Sequence, residues 1–148
     1  MKPQPLLTMR KHRILIIEDE ALTVSALKRE LAALGYEIAG SADNAAEAMK
    51  SADTYRPDLV LMDIHLAGPL SGIVAAIAIR GLLHTPVVFL TAHSDDETMT
   101  NAVYTGAFGY VLKPYTTAGL KAAIQMALHK HRTEAEIRHL PALAPATA

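Results

Sequence analysis

At 148 residues the chain matches one domain with a single core and a short appendage, and argues against a second substantial domain within it. Fourteen Lys plus Arg against fifteen Asp plus Glu give a net charge of −1, so no global field draws it to an anionic membrane or into direct contact with nucleic acid. A content of 51% hydrophobic and 20% charged residues excludes a disordered chain, and the absence of cysteine excludes disulfides, thiolate metal sites and a cysteine nucleophile, in keeping with a reducing, cytoplasmic location.

In chain order, residues 1–12 form a basic arm without the apolar stretch of a secretory leader, and the folded unit is expected over 13–132. Short apolar runs at Ile14–Ile17, Glu37–Gly40, Leu59–Met62, Val87–Leu90 and Tyr110–Leu112 read as strands. Four of the five are continuously apolar, the pattern of strands covered on both faces. Between them lie segments of helical period. Val24, Leu27, Leu31 and Leu34 mark the first, stopped by Gly35. Asn44 with Glu47 opens a second through Ala52, and Gly72 to Leu83 forms a third, with Pro86 just beyond as a stop. Ser94 and Glu97 resemble a capping box for a fourth helix reaching about Thr105, and a fifth begins near Thr116 and carries Leu120, Ile124, Ala127 and Leu128. The uncharged run Ile64–Ile79 is too short for the roughly 20 residues of a membrane span and is broken by Gly68, Pro69, Ser71 and Gly72, so no membrane insertion is expected.

Five strands alternating with five helices imply a doubly wound (βα)5 sandwich around a five-stranded parallel sheet. In such sheets ligands sit at the carboxyl ends of the strands. There the sequence places Glu18 and Asp19, then Asp63, Thr91 and Lys113. Three carboxylates brought together repel one another and call for a cation. Oxygen ligands alone favour Mg²⁺, with Mn²⁺ as a substitute. An aspartate between a metal and a lysine, beside a threonine hydroxyl, is arranged to attack a phosphoryl group, which makes phosphoryl transfer to Asp63 the inferred reaction. Each residue alone has an ordinary explanation: helix capping for the carboxylates, a turn hydroxyl for Thr91, a solvated cation for Lys113. The set in this order is what carries the inference.

The segments IEDE at 17–20, LMDIHL at 61–66, LTAHS at 90–94 and YVLKPY at 110–115 resemble the receiver domain of two-component response regulators, over roughly Arg13 to His131. The resemblance implies a flavodoxin-like, CheY-like fold and phosphorylation of Asp63 by a sensor histidine kinase or phosphotransfer protein. It further implies that Asp19 and Asp63 supply metal carboxylates, that Glu18 acts mainly through metal-bound water, and that the backbone carbonyl of His65 completes the protein ligands. Thr91 and Lys113 would contact phosphoryl oxygens, Tyr110 would turn inward as Thr91 moves, and Lys113–Pro114 would be a cis peptide. Two features depart from the family pattern. Nine steps separate Asp63 from Gly72, one more than is common, which gives the loop AGPLSG its own shape. His65 and His93 occupy the positions that in the family flank the water hydrolysing the acyl phosphate, so they are expected to tune dephosphorylation, with pH dependence or plain loop polarity as the alternatives.

Only Thr133–Ala148 follow the folded unit here, expected to be a helix extension and a disordered tail, PALAPATA. That stretch cannot hold a DNA-binding domain, so the chain reads as a stand-alone receiver, or one excised from a longer protein, signalling to a downstream protein target. Homodimerisation is expected through the fourth helix, fifth strand and fifth helix, or through the extension 128–140 with Leu128, Ala135 and Leu140 as contacts; a solvated, fraying helix is the alternative. Two rival functions stay open. One is a phosphorylation-independent pseudo-receiver acting as a scaffold. The other is a phosphatase, which would need a second acid/base carboxylate that Ile64 and His65 do not provide. The main reading makes the protein no enzyme beyond its own phosphotransfer and autodephosphorylation.

Overall fold

The computed structural model describes residues 10–66, 71–92 and 108–140. Strands β1 (Arg13–Ile17), β2 (Glu37–Ala42), β3 (Leu59–Asp63), β4 (Val87–Thr91) and β5 (Gly109–Leu112) form one parallel sheet in the order β2-β1-β3-β4-β5. Helices α1 (Ala21–Ala33), α2 (Ala45–Tyr55), α3 (Gly72–Leu83) and α4 (Thr117–Arg138) accompany it. The order is that of a doubly wound, flavodoxin-like sheet. The helix predicted at 94–105 lies outside the described residues, as do His93, residues 67–70 of the AGPLSG loop and the tail 141–148.

The core has two halves because strand side chains alternate between faces. Leu15, Ile17, Val60, Met62, Val87 and Phe89 pack with α2 and α3 on one side of the sheet. Ile14, Ile16, Leu59, Leu61, Val88 and Leu90 pack with α1 and α4 on the other. Every residue of β3 and β4 is buried, which is why both strands read as continuous apolar runs.

β5 departs from that expectation. Its apolar run suggested cover on both faces, yet Tyr110 and Leu112 are exposed, because among the described residues β5 pairs only with β4 and stands at the sheet edge. β2, at the other edge, runs to Ala42 rather than ending at Gly40.

The caps explain where the helices start and stop. Asn44 accepts from the Glu47 N–H at 2.9 Å, Ser71 from Val74 at 3.3 Å and Thr116 from Gly119 at 2.9 Å, each meeting one otherwise unpaired first-turn donor. Gly35, at φ +95°, lets the chain turn after α1. α2 continues three residues beyond Ala52, to Tyr55, before Arg56 takes the left-handed conformation. α3 is stopped by His84, also left-handed, rather than by Pro86.

α4 runs unbroken to Arg138, so the polar stretch after Leu128 is helical. Leu128 packs partly buried against the core of its own chain. Leu140 is exposed.

Two glycines of α3 differ in what a side chain would meet. A Cβ at Gly72 would sit 2.3 Å from the carbonyl oxygen of Asp63, whereas at Gly81 nothing lies within 4 Å. Gly72→Ala is therefore expected to destabilise the protein by about 1–3 kcal/mol through forced backbone displacement. Gly81→Ala should stabilise it by about 0.5–1 kcal/mol. Urea denaturation of both variants checks the pair, and equal effects would contradict it.

Candidate functional site

Parallel pairing carries the strand ends to one edge. Ile17 pairs with Met62, Asp63 with Leu90 and Thr91 with Leu112, so the residues that follow emerge side by side. Backbone hydrogen bonds continue past the strands: Glu18 N–H to Ala42 O at 3.0 Å, Ile64 N–H to Leu90 O at 3.1 Å and Lys113 N–H to Thr91 O at 2.8 Å. The site backbone is thereby held by the sheet itself. The Lys113–Pro114 peptide is cis, as the resemblance implied.

Ligand oxygens of Glu18, Asp19 and Asp63 all lie within 4.8 Å of one another. Glu18 is 1% exposed and Asp63 8%, while Asp19 is exposed. Lys113 Nζ donates to Glu18 Oε1 at 3.0 Å and reaches Asp63 Oδ2 at 3.5 Å. The second oxygen of each buried carboxylate accepts a backbone N–H: Glu20 to Glu18 Oε2 at 3.2 Å, His65 to Asp63 Oδ1 at 2.9 Å. These bonds fix the carboxylate planes.

Charge at the site is unbalanced. Among the described residues three carboxylates gather beside the Lys113 ammonium. Burial, seconded by the charge of Asp63, pushes the Glu18 carboxyl above its usual range, although bonds from Lys113 and the Glu20 N–H pull it down. Burial alone would lower Lys113, but the hydrogen bond to Glu18 and the charges of Asp63 and Glu18 outweigh it and hold the ammonium above its usual range. An all-oxygen donor set of three clustered carboxylates fits a hard divalent cation such as Mg²⁺. A cavity of about 600 Å³, lined in part by Glu18, Asp19, Asp43 and Glu47, opens beside it.

The structure thus brings Glu18, Asp19, Asp63 and Lys113 together. Thr91 is fully buried at the end of β4. Tyr110 is 44% exposed on β5. His65 is exposed beside Asp63, and His93 lies outside the described residues. Sequence reasoning missed two features: the Lys113–Glu18 pair, and Gly72, whose missing side chain leaves room for the Asp63 carbonyl. A buried acid beside a lysine at the same sheet edge was a signal for the first. The one candidate for the second was the glycine at the start of a helix.

The model of the response regulator receiver domain matches residues 14–125. The chain belongs to the response regulator receiver family. Such domains bind Mg²⁺ at an acidic pocket of the kind seen here, interact with histidine kinases and downstream targets, and are typically not true enzymes. The transcriptional regulatory protein PdtaR of Mycobacterium tuberculosis is 39% identical over 120 residues, covering 81% of this chain and 58% of PdtaR. The regulatory protein AtoC of Escherichia coli is 37% identical over 130 residues, covering 87% of this chain and 28% of AtoC. The chain therefore spans between about a quarter and three fifths of these relatives. Among solved structures, the signal receiver domain of a modulated diguanylate cyclase from Desulfovibrio desulfuricans matches with a TM-score of 0.79 at 37% identity, over 84% of this chain and 99% of that one. The anti-anti-sigma factor PhyR of Bartonella quintana matches with a TM-score of 0.72 at 28% identity, over 91% of this chain and 56% of PhyR. Among the described residues no helix is long and apolar enough to cross a membrane.

The Lys113–Glu18 pair has a pH signature. With its folded pKa raised, Glu18 contributes stability that is full below its unfolded value near 4.5 and is lost as pH rises through the higher folded value. Removing Lys113 takes away the contact that limits this loss. Lys113→Ala is expected to cost about 1–3 kcal/mol above that window and little near pH 4, where Glu18 is protonated in both proteins. Denaturation in EDTA across this range tests it, and a pH-independent deficit would contradict it.

Proposed function

We propose that this receiver takes a phosphoryl group on Asp63 from a phosphohistidine of a sensor kinase or phosphotransfer protein, and that the phosphorylated form signals by binding a downstream protein. The observation that carries this reading is the convergence of Asp63 with Glu18 and Asp19 on one side and Lys113 on the other. A carboxylate oxygen of Asp63 attacks phosphorus, forming a P–O bond as the P–N bond to the donor imidazole breaks and the imidazole leaves with the electron pair.

Asp19, Asp63 and the His65 backbone carbonyl would hold Mg²⁺, with Glu18 acting through water, and the ion supplies charge neutralisation for the phosphoryl oxygens. Lys113, now shared between Glu18 and Asp63, exchanges part of that pairing for a phosphoryl oxygen. The Thr91 hydroxyl takes another. Tyr110, exposed on β5, is the partner in the switch: the aromatic ring moves inward when Thr91 is drawn toward the phosphoryl group. His65, exposed next to Asp63, borders the path of the hydrolytic water and tunes the lifetime, a role shared with His93. Catalysis is confined to the protein's own phosphotransfer and autodephosphorylation, in the cytoplasm. A second copy of the chain, meeting it through β5 and the face of α4, is a further partner of the phosphorylated form.

Incubation with Mg²⁺ and acetyl phosphate, followed by mass spectrometry, tests the chemistry. Wild type is expected to gain one phosphoryl group, Asp63→Asn none, and Asp19→Asn to need about 10–100-fold more Mg²⁺ for half-maximal labelling. Absence of an adduct on wild type, under conditions that label a control receiver, would instead support a phosphorylation-independent scaffold.

A further inference from the structure

The inward face of α4 changes character along its length. Leu120, Ile124 and Ala127 are buried in the core. Beyond them the same stripe continues with Leu128, His131, Glu134 and Ala135, all half-buried, and no residue from 128 to 140 is fully buried. An imidazole and a carboxylate therefore stand at positions where apolar side chains ordinarily hold a helix to its domain.

Two residues of the body receive them. Phe108 is fixed to the sheet by its N–H, which donates to Val87 O at 2.9 Å. The centre of its ring lies 6.3 Å from that of His131 and 4.9 Å from the Lys130 ammonium. Arg80 of α3 lies over the same ring at 4.2 Å and reaches Glu134 at 3.5 Å.

His131 Nδ1 is buried with no hydrogen-bond partner among the described residues. A neutral imidazole tolerates this, because the unpaired nitrogen can be the one without a proton. An imidazolium does not: both ring nitrogens then carry protons, and Nδ1–H becomes a buried donor with no acceptor. The surroundings oppose the charge as well. Around the ring stand Arg80 of α3 and His84 at its end, Arg56 and Asp58 between α2 and β3, His12 ahead of β1, and Lys130, Arg132, Glu134 and Arg138 of α4 itself. Both acids are already engaged, Glu134 with Arg80, and Asp58 with the Arg13 N–H at 2.7 Å and Arg10 at 3.6 Å. Burial, followed by the charges of Arg138 and Arg80, pushes the imidazolium below its usual range, over the smaller opposing effects of Glu134 and Asp58.

We propose that the end of α4 is an acid-released latch: neutral His131 keeps residues 128–138 docked on Phe108 and α3, and its protonation frees them. Docking lowers the proton affinity of His131, so the latch is fully held above the ordinary histidine value of 6.5 and loosens as pH falls through it. The other histidines of this stretch do not act that way. His129 is exposed, and the Nδ1 of His139 lies 2.7 Å from the Ala135 carbonyl, where a proton is satisfied and the helix C-terminus favours the charge.

Amide hydrogen exchange of the full chain at about pH 7.5 and about pH 5.5, corrected for intrinsic rates, tests this; both lie above the range near 4 where carboxylates ordinarily titrate. One unit below the free histidine value the released state gains at most about tenfold, so peptides from 128–140 are expected to lose protection about threefold to tenfold while those from β1, β3 and β4 keep theirs. His131→Leu and His131→Phe, shown to be folded by their thermal midpoints, should hold the segment at both pH values. In NMR spectra the ring signal missing from His131→Leu should titrate below 6.5. Unchanged protection of 128–140 on acidification, the same acid loss in the folded variants, a loss spread evenly over the strands, or a His131 ring titrating at or above 6.5 would each overturn the proposal.

Discussion

Mutual repulsion among three carboxylates at one sheet edge is the constraint around which this protein is arranged. Left to themselves Glu18, Asp19 and Asp63 would not stay within 4.8 Å of one another, least of all with two of them almost fully buried. The fold compensates by three means. The parallel ladder extends beyond the strand ends and fixes the backbone. Backbone N–H groups of Glu20 and His65 hold one oxygen of each buried carboxylate. Lys113 supplies a positive charge between Glu18 and Asp63. What remains uncompensated is the capacity to take up a cation and a phosphoryl group, so the electrostatic discomfort of the site and its chemistry are one property.

Much of this was open to reading from residues because the strands are short, apolar and parallel. Once β1, β3, β4 and β5 are recognised, the residue after each must arrive at the same edge, and the acidic and basic side chains at 18, 19, 63 and 113 follow without knowledge of tertiary contacts. The caps at Asn44, Ser71 and Thr116 are local interactions across three residues, and local rules found the starts of those helices.

Other features depend on neighbours that no window of sequence contains. β5 is apolar enough to look covered, yet its exposure is decided by its position in the sheet. Leu128 is half-buried because the turn of α4 carries it against the core, a contact that no local pattern announces. Glu18 and Lys113 are 95 residues apart, and their pairing follows from the depth at which each side chain sits. The extension 128–140 was undecided because it is helix-friendly but has too few apolar positions to sustain a heptad; in the structure Arg80 to Glu134 at 3.5 Å and the Lys130 ammonium 4.9 Å from the centre of the Phe108 ring tie it to the body of the protein.

That helix has a mechanical consequence. With 22 residues at 1.5 Å each, α4 is a rod of about 33 Å, beginning four residues after Lys113 and ending at Arg138 on the far pole. Its first residue is tethered to α1 by the bond from Thr117 to Glu30, and its last turns are moored to α3. A stiff rod anchored at both ends passes a displacement of one anchor to the other as a rigid body: a shift imposed near the acidic edge loads the Arg80–Glu134 tie about 25 Å along the rod, with no relay of side chains between.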